Sequence, residues 1–278
     1  MTDPATSSDD FCYRHPGRVS YVLCQRCTKT VCGDCQIPAA VGVHCPECHV
    51  PSGAGASAGF GRGKRVGTRS RLTGGNIATM SLLITIVLVY AGQWLSGGLV
   101  TSLLLYWPPL TASEPWRMIT ALFVHSERSL IHILFNAYSL WVLGMVLERL
   151  LGPRRFLALF FTAGLGGSLA VLWLAPTQAV IGASGAIFGL FGALLVIQRN
   201  FGGANPQLLI VLVLNLILGF VVPGISWQAH IGGLVVGILL GWLLVKDREA
   251  AKPQGMVRLF GAVIAGIVVL AMVRVLLF

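Results

Sequence analysis

The sequence is short of charge, above all of acid: 278 residues hold 10 Asp and Glu beside 20 Lys and Arg, and charged residues make up 11% of the chain. So few ionised side chains cannot cover a water-soluble domain, and with 55% hydrophobic residues that class is excluded. Cysteine is absent after Cys48, which excludes a disulfide framework from everything beyond that point. Residues 1–60 also lack a basic start leading into an apolar core. No cleavable signal peptide is therefore expected, and the first apolar stretch should itself direct insertion.

What is present is a series of apolar blocks near 76–96, 129–148, 156–175, 184–198, 207–222, 229–245 and 257–277. Each is close to the length that crosses a hydrocarbon core of about 30 Å as a helix. The expected fold class is therefore an all-α polytopic membrane protein, with the lipid bilayer as its first partner.

The net charge of +10 is distributed in a way that sets orientation. Arg62, Lys64, Arg65, Arg69 and Arg71 precede the first block, and Arg149, Arg154 and Arg155 separate the second from the third. Arg199 follows the fourth, and Lys246, Arg248, Lys252 and Arg258 follow the sixth; the alternate loops carry only Arg117 and Arg128. By the positive-inside rule the N-terminus is cytoplasmic and the C-terminus external. No nucleic acid partner is expected.

All seven cysteines fall in the pattern Cys12-x2-His15, Cys24-x2-Cys27, Cys32-x2-Cys35 and Cys45-x2-Cys48. Paired knuckles of this kind suit tetrahedral zinc, and eight ligands suffice for two structural ions. A disulfide-stapled module is the alternative, opposed by the odd count and the cytoplasmic side. His44 and His49 stand as substitute ligands. A module this small buries little core, so metal should fold it. Its modest charge, Arg14, Arg18, Arg26 and Lys29 against Asp34 and Glu47, points to a cytoplasmic protein partner. The pattern resembles the B-box and related zinc fingers. That resemblance implies a cross-brace, with Cys12, His15, Cys32 and Cys35 on one ion and Cys24, Cys27, Cys45 and Cys48 on the other. The module is placed at 1–50, followed at 51–75 by a flexible basic linker rich in Gly, Ala and Ser. Its positive charges either set topology alone or also hold anionic head groups.

The connection at 97–128 contains Trp107-Pro-Pro109 and the stretch from Glu114 to His125. It reads as a segment lying partly in the membrane interface, with a soluble loop as the alternative. The second block carries His132-x3-Asn136, two polar groups on one helical face. Alone, such a pair reads as a helix–helix hydrogen-bonding device. Glu148, in Gly144-x3-Glu148-x3-Gly152, lies near the cytoplasmic end and is expected to hold helix ends or loop donors.

The stretch Val180 to Gly192 sets one hydroxyl, Ser184, among small residues where an apolar helix begins. By itself that is a helix-cap signal. Depth gives it a second meaning. Blocks two, four and six all run from outside to inside, and at about 1.5 Å per residue Ser184, His230, His132 and Asn136 stand about 20–25 Å above the inner boundary. A serine needs a base to become a nucleophile, and His230 is the candidate at that level. Gly185, Gly189 and Gly192 after Ser184, and Gly233, Gly237 and Gly241 after His230, would let the two helices pack backbone to backbone.

Trp116-Arg117, His132-x3-Asn136, Gly144-x3-Glu148, Gly182-Ala-Ser184-Gly185 and Ala229-His230-x2-Gly233-x3-Gly237 together resemble the rhomboid intramembrane serine proteases over residues 76–245. The strand–turn–helix context of the hydrolase Gly-x-Ser-x-Gly elbow is missing. The resemblance implies a rhomboid-like six-helix core, here 76–248, and a serine endopeptidase that cleaves transmembrane protein substrates in or near the membrane. Ser184 would be nucleophile and His230 general base, with no third acid and no catalytic cofactor. The Ser184 backbone N–H with the His132 and Asn136 side chains would stabilise the oxyanion. Phe188 stands where some members carry a tyrosine that packs on the catalytic histidine. A further transmembrane helix at 249–278 and the zinc module are additions, and Arg274 near the outer end of that last helix can snorkel. A non-proteolytic rhomboid-like protein that binds or sorts membrane clients is the alternative function, opposed by the intact Ser184 and His230; a transporter is the third. The expected location is a bacterial plasma membrane, spanned several times.

Overall fold

The computed structural model describes residues 11–38, 43–48, 76–200, 206–249 and 255–277. The linker expected at 51–75 and the substitute ligand His49 lie outside the described residues. Two compact units are present, Met1–Arg69 and Ser70–Phe278.

The first unit is built from two short antiparallel pairs. β1 (Phe11–Cys12) pairs with β2 (His15–Val19), and β3 (Ile37–Pro38) with β4 (Val43–His44), with a 3₁₀ turn at Gly33–Cys35 between them. Its buried cluster is Cys12, Cys24, Val31, Cys32, Cys35 and Cys45. Val31 is the one member that is not a potential metal ligand, so hydrophobic burial alone cannot hold this unit together.

The second unit is helical: α1 (Ile77–Leu95), α2 (Leu99–Leu104), α3 (Arg117–Thr120), α4 (Leu130–Leu151), α5 (Pro153–Leu174), α6 (Ser184–Asn200), α7 (Pro206–Val221), α8 (Trp227–Glu249) and α9 (Met256–Leu277). Five of them, α1, α4, α5, α8 and α9, are long and apolar enough to cross a membrane. The other two apolar blocks are helices as expected but shorter, with 17 residues in α6 and 16 in α7. Gly152, at φ 81°, ends α4, and Pro153 opens α5 immediately after it. Glycine tolerates that left-handed φ, and proline at a first helical position gives up an N–H that would be unpaired anyway.

α6 is the central helix: every residue from Gly185 to Leu194 is buried. It is walled by α4, α5 and α8. A Cβ built on Gly233 would stand 1.9 Å from the Gly185 carbonyl oxygen, and one on Gly237 2.0 Å from that of Gly189. The two backbones thus touch where the glycine series predicts. α5 joins the same arrangement: a Cβ on Gly232 would meet the Gly166 oxygen at 2.4 Å. α7 is the loose member, with Leu212 and Gly219 as its buried residues.

Residues 97–128 form an ordered layer. Arg117, 6% exposed, reaches the Ser102 and Leu105 carbonyls at 2.7 and 3.1 Å and pairs with Glu114. Those carbonyls belong to the C-terminal end of α2, where a cation is favoured. Thr120 donates to Leu104, and Ser168 of α5 donates to the Met118 carbonyl. Tyr106 and Val180 exchange backbone hydrogen bonds of 3.1 and 2.8 Å, tying this layer to the residues before α6. Trp107 and Trp116 remain exposed on it. Glu148 has the structural place expected of it. Its carboxylate accepts from the Ala78 and Thr79 N–H groups at 2.9 and 2.8 Å and from the Thr79 hydroxyl at 2.7 Å, capping the N-terminus of α1. α9 packs on α5, where the Arg274 guanidinium lies 5.9 Å from the Trp173 ring centre.

Candidate active site and metal centre

Ser184 is the first residue of α6, and the turn that delivers it depends on Gly182. Gly182 has φ 112° and donates its N–H to the Ala121 carbonyl at 2.9 Å. A side chain there would be strained, and its Cβ would stand 2.9 Å from His132 Nε2. The His132 ring is therefore seated against the backbone two residues before the serine.

His230, 5% exposed in the first turn of α8, brings Nε2 to 3.0 Å from Ser184 Oγ. The residues converge because Gly185 and Gly233 let the helix axes close. Phe188, one turn after Ser184, stacks on the imidazole with ring centres 4.1 Å apart and planes at 13°. The phenyl ring thus occupies one face of the histidine, restricts its rotation and excludes water from that side. The other nitrogen, Nδ1, is buried with no hydrogen-bond partner among the described residues. Gly219 of α7 faces it, with an ideal Cβ 3.0 Å away. The Ser184 hydroxyl and the His230 imidazole are thus within hydrogen-bond distance, and no carboxylate is bonded to Nδ1 among the described residues.

Asn136 donates its amide to the His132 carbonyl at 2.8 Å, while its Oδ1 is buried without a partner among the described residues. His132 Nδ1 accepts from the Ser126 N–H at 3.3 Å. His125, fully buried, lies beside it with ring centres 5.3 Å apart. Gln93 of α1, also fully buried, pairs with both backbone groups of His125. Sequence reasoning passed over Gln93 and His125. The signal for Gln93 was available, since a lone amide in a membrane helix calls for a partner.

In the first unit the eight expected ligands fall into two groups, Cys12, His15, Cys32 and Cys35, and Cys24, Cys27, Cys45 and Cys48, with ligand atoms within 4.8 Å of one another in each. This is the cross-braced pairing; His44 is in neither group. Zinc–ligand bonds of about 2.3 Å to sulfur and about 2.0 Å to nitrogen, at tetrahedral angles, place sulfurs about 3.8 Å apart and sulfur and nitrogen about 3.5 Å apart. Cys27 and Cys45 Sγ are 3.7 Å apart, and His15 Nδ1 is 3.7, 3.4 and 3.4 Å from Cys12, Cys32 and Cys35. The cages therefore fit zinc. Burial opposes ionisation of Cys12, but N–H groups of Cys32, Arg14 and His15 outweigh it and draw the thiol down to about 6. Cys24 is drawn down to about 6 against burial in the same way, by N–H groups of Cys45, Arg26 and Cys27. Burial and the neighbouring Cys12 and Cys32 push Cys35 up to about 11. Mutual repulsion among thiolates is what a central dication would relieve.

A family model of the rhomboid domain matches residues 112–247. Rhomboid protease GluP of Bacillus subtilis is 36% identical over 133 residues, which is 46% of this chain and 26% of GluP. The rhomboid protein YdcA of the same organism is 37% identical over 142 residues, 49% of this chain and 70% of YdcA. RHOMBOID-like protein 5 of Arabidopsis thaliana is 39% identical over 142 residues, 48% of this chain and 45% of that protein. The chain thus spans about a quarter of GluP and under half of the plant protein, and most of YdcA. The matched residues contain His132, Asn136, Ser184 and His230, and the helices around these are those of an integral membrane protein. On these grounds the chain belongs to the rhomboid family.

Proposed function

We propose that this protein is an intramembrane serine endopeptidase that cuts transmembrane protein substrates in or near the bilayer. The observation that carries this reading is the 3.0 Å contact between Ser184 Oγ and His230 Nε2, on a histidine whose Nδ1 has no partner among the described residues. His230 takes the Ser184 proton as Oγ attacks the scissile carbonyl, then passes it to the leaving amine. The acyl-enzyme ester is opened by a water that His230 deprotonates, and the proton returns to Ser184. Negative charge on the tetrahedral oxygen is met by the Ser184 N–H at the start of α6, by His132 and by the Asn136 amide. Ser184 at a helix N-terminus adds a favourable dipole. A substrate helix enters from the lipid and unwinds locally, because a peptide bond inside a helix is closed to attack. α7, which buries Leu212 and Gly219, has the least packing to lose beside His230.

The same reading orients the chain with the N-terminus cytoplasmic and the dyad toward the outer side of a bacterial plasma membrane, from the placement of Lys and Arg. The first unit then holds two structural zinc ions, supplies no step of the chemistry and meets a protein partner in the cytoplasm. The domain limits remain 1–50, 51–75, 76–248 and 249–278. Membrane proteomics of new protein termini, comparing wild type with Ser184→Ala, tests the activity. Termini within or beside membrane spans that vanish in the variant are expected; an identical set in both would sink the proposal.

A further inference from the structure

Gln93 lies in α1, an outer helix that carries none of the residues in the proposed chemistry, yet its amide is fully buried and fully engaged. Oε1 accepts the His125 N–H at 3.0 Å, and Nε2 donates to the His125 carbonyl at 2.8 Å and to Thr101 Oγ1 at 2.8 Å. Thr101 in turn bonds the Glu127 carboxylate. A side-chain amide that engages both the N–H and the C=O of one residue behaves as a short neighbouring strand and fixes that residue's backbone.

The consequence passes along one peptide plane. The His125 carbonyl and the Ser126 N–H belong to the same planar, trans unit and point in opposite directions. Holding the carbonyl toward Gln93 aims the Ser126 N–H at His132 Nδ1, 3.3 Å away. A neutral imidazole carries one proton, so an Nδ1 that accepts leaves the N–H on Nε2. Nε2 is the atom seated against Gly182, at the backbone that leads into Ser184. If this peptide turned over, a carbonyl would face Nδ1, the proton would move there, and Nε2 would present a lone pair to a developing oxyanion.

We propose that Gln93 is a positioning residue that holds the 125–126 peptide in the orientation that makes His132 Nε2 a hydrogen-bond donor. The proposal rests on the protease reading and gives α1 and the 97–128 layer a part in it. Its test is the rate at which a fluorophosphonate labels Ser184 in full-length protein in detergent, separated into kinact and KI. The phosphoryl oxygen occupies the oxyanion position during that reaction, so kinact reports the donors. Gln93→Leu should lower kinact by about tenfold to a hundredfold, somewhat less than losing a whole oxyanion donor, with KI unchanged. His132→Ala should lower it further, and adding Gln93→Leu to His132→Ala should cause no additional loss, because the effect passes through His132. Equal kinact in Gln93→Leu and wild type, or a loss that multiplies with that of His132→Ala, overturns the proposal. If Gln93→Leu does not fold, Ser126→Pro is read by the same criteria: it leaves Gln93 in place and removes the donor to Nδ1. Absence of labelling in the wild type would instead count against the protease reading, so the two failures are distinct.

Discussion

At the scale of single residues, polar groups are few in this membrane unit and most can be assigned a task. Ser184 and His230 meet at 3.0 Å, with Phe188 against the imidazole and Nδ1 without a hydrogen-bond partner among the described residues. Glu148 does something different: three donors at the start of α1 converge on its buried carboxylate. Glu148→Gln keeps the shape but turns an amide NH2 toward donors, so about 1.5–3 kcal/mol of stability should be lost. A lower thermal midpoint in detergent, with unchanged Ser184 labelling in the folded fraction, is the expected result. Ser184, His132, Asn136, His230 and Glu148 could all be found in the sequence, because each is a polar side chain in an apolar block. Gln93 follows the same rule, as a polar side chain in the first apolar block, but no spacing in the sequence names its partners, the His125 backbone and the Thr101 hydroxyl. The left-handed φ of Gly182 was equally silent.

Helices are brought together here by what their glycines leave out. A Cβ on Gly237 would lie 2.0 Å from a backbone oxygen that cannot move aside, whereas one on Gly261 in α9 meets nothing within 4 Å. Gly237→Ala should therefore push α8 from α6, lower the midpoint and abolish Ser184 labelling. Gly261→Ala should leave labelling intact and the midpoint equal or slightly higher, since alanine favours helix by up to about 1 kcal/mol. Both follow from thermal melts and labelling on the same preparations. The α6–α8 contact was legible because two series of small residues follow Ser184 and His230. The share taken by α5 was not: Gly164, Gly166 and Gly167 advertise a close approach without naming the neighbour, which proves to be α8 for Gly166 and Gly167 and Leu122 for Gly164. The shortness of α6 and α7, at 17 and 16 residues, was legible too, since the apolar blocks 184–198 and 207–222 are the shortest in the chain.

The molecule as a whole joins two units with different sources of stability. The membrane unit rests on buried aliphatic and aromatic side chains, whereas the buried cluster of the first unit is Val31 with cysteines from two Cys and His groups that could hold metal ions. Chelation should remove two zinc ions per chain and unfold residues 11–48, while Ser184 labelling persists. Acid should act in the same direction as the chelator. Cys12 and Cys24 sit at about 6, below the ordinary thiol value of 9.0, so their ionised form stabilises the folded unit fully above pH 9, and that contribution fades as pH falls through 6. Protons also compete with zinc for the same sulfurs. Zinc release followed by a chromogenic chelator should accordingly rise as pH drops through about 6 and be small at pH 8.

The most direct measurement is fluorophosphonate labelling of the full chain, with the modified residue located by mass spectrometry in wild type, Ser184→Ala and His230→Ala. Modification at Ser184 in the wild type, and none in either variant at matched folding, is the predicted result. A folded wild type that is never labelled, or labelling that survives Ser184→Ala, would contradict a serine nucleophile activated by His230.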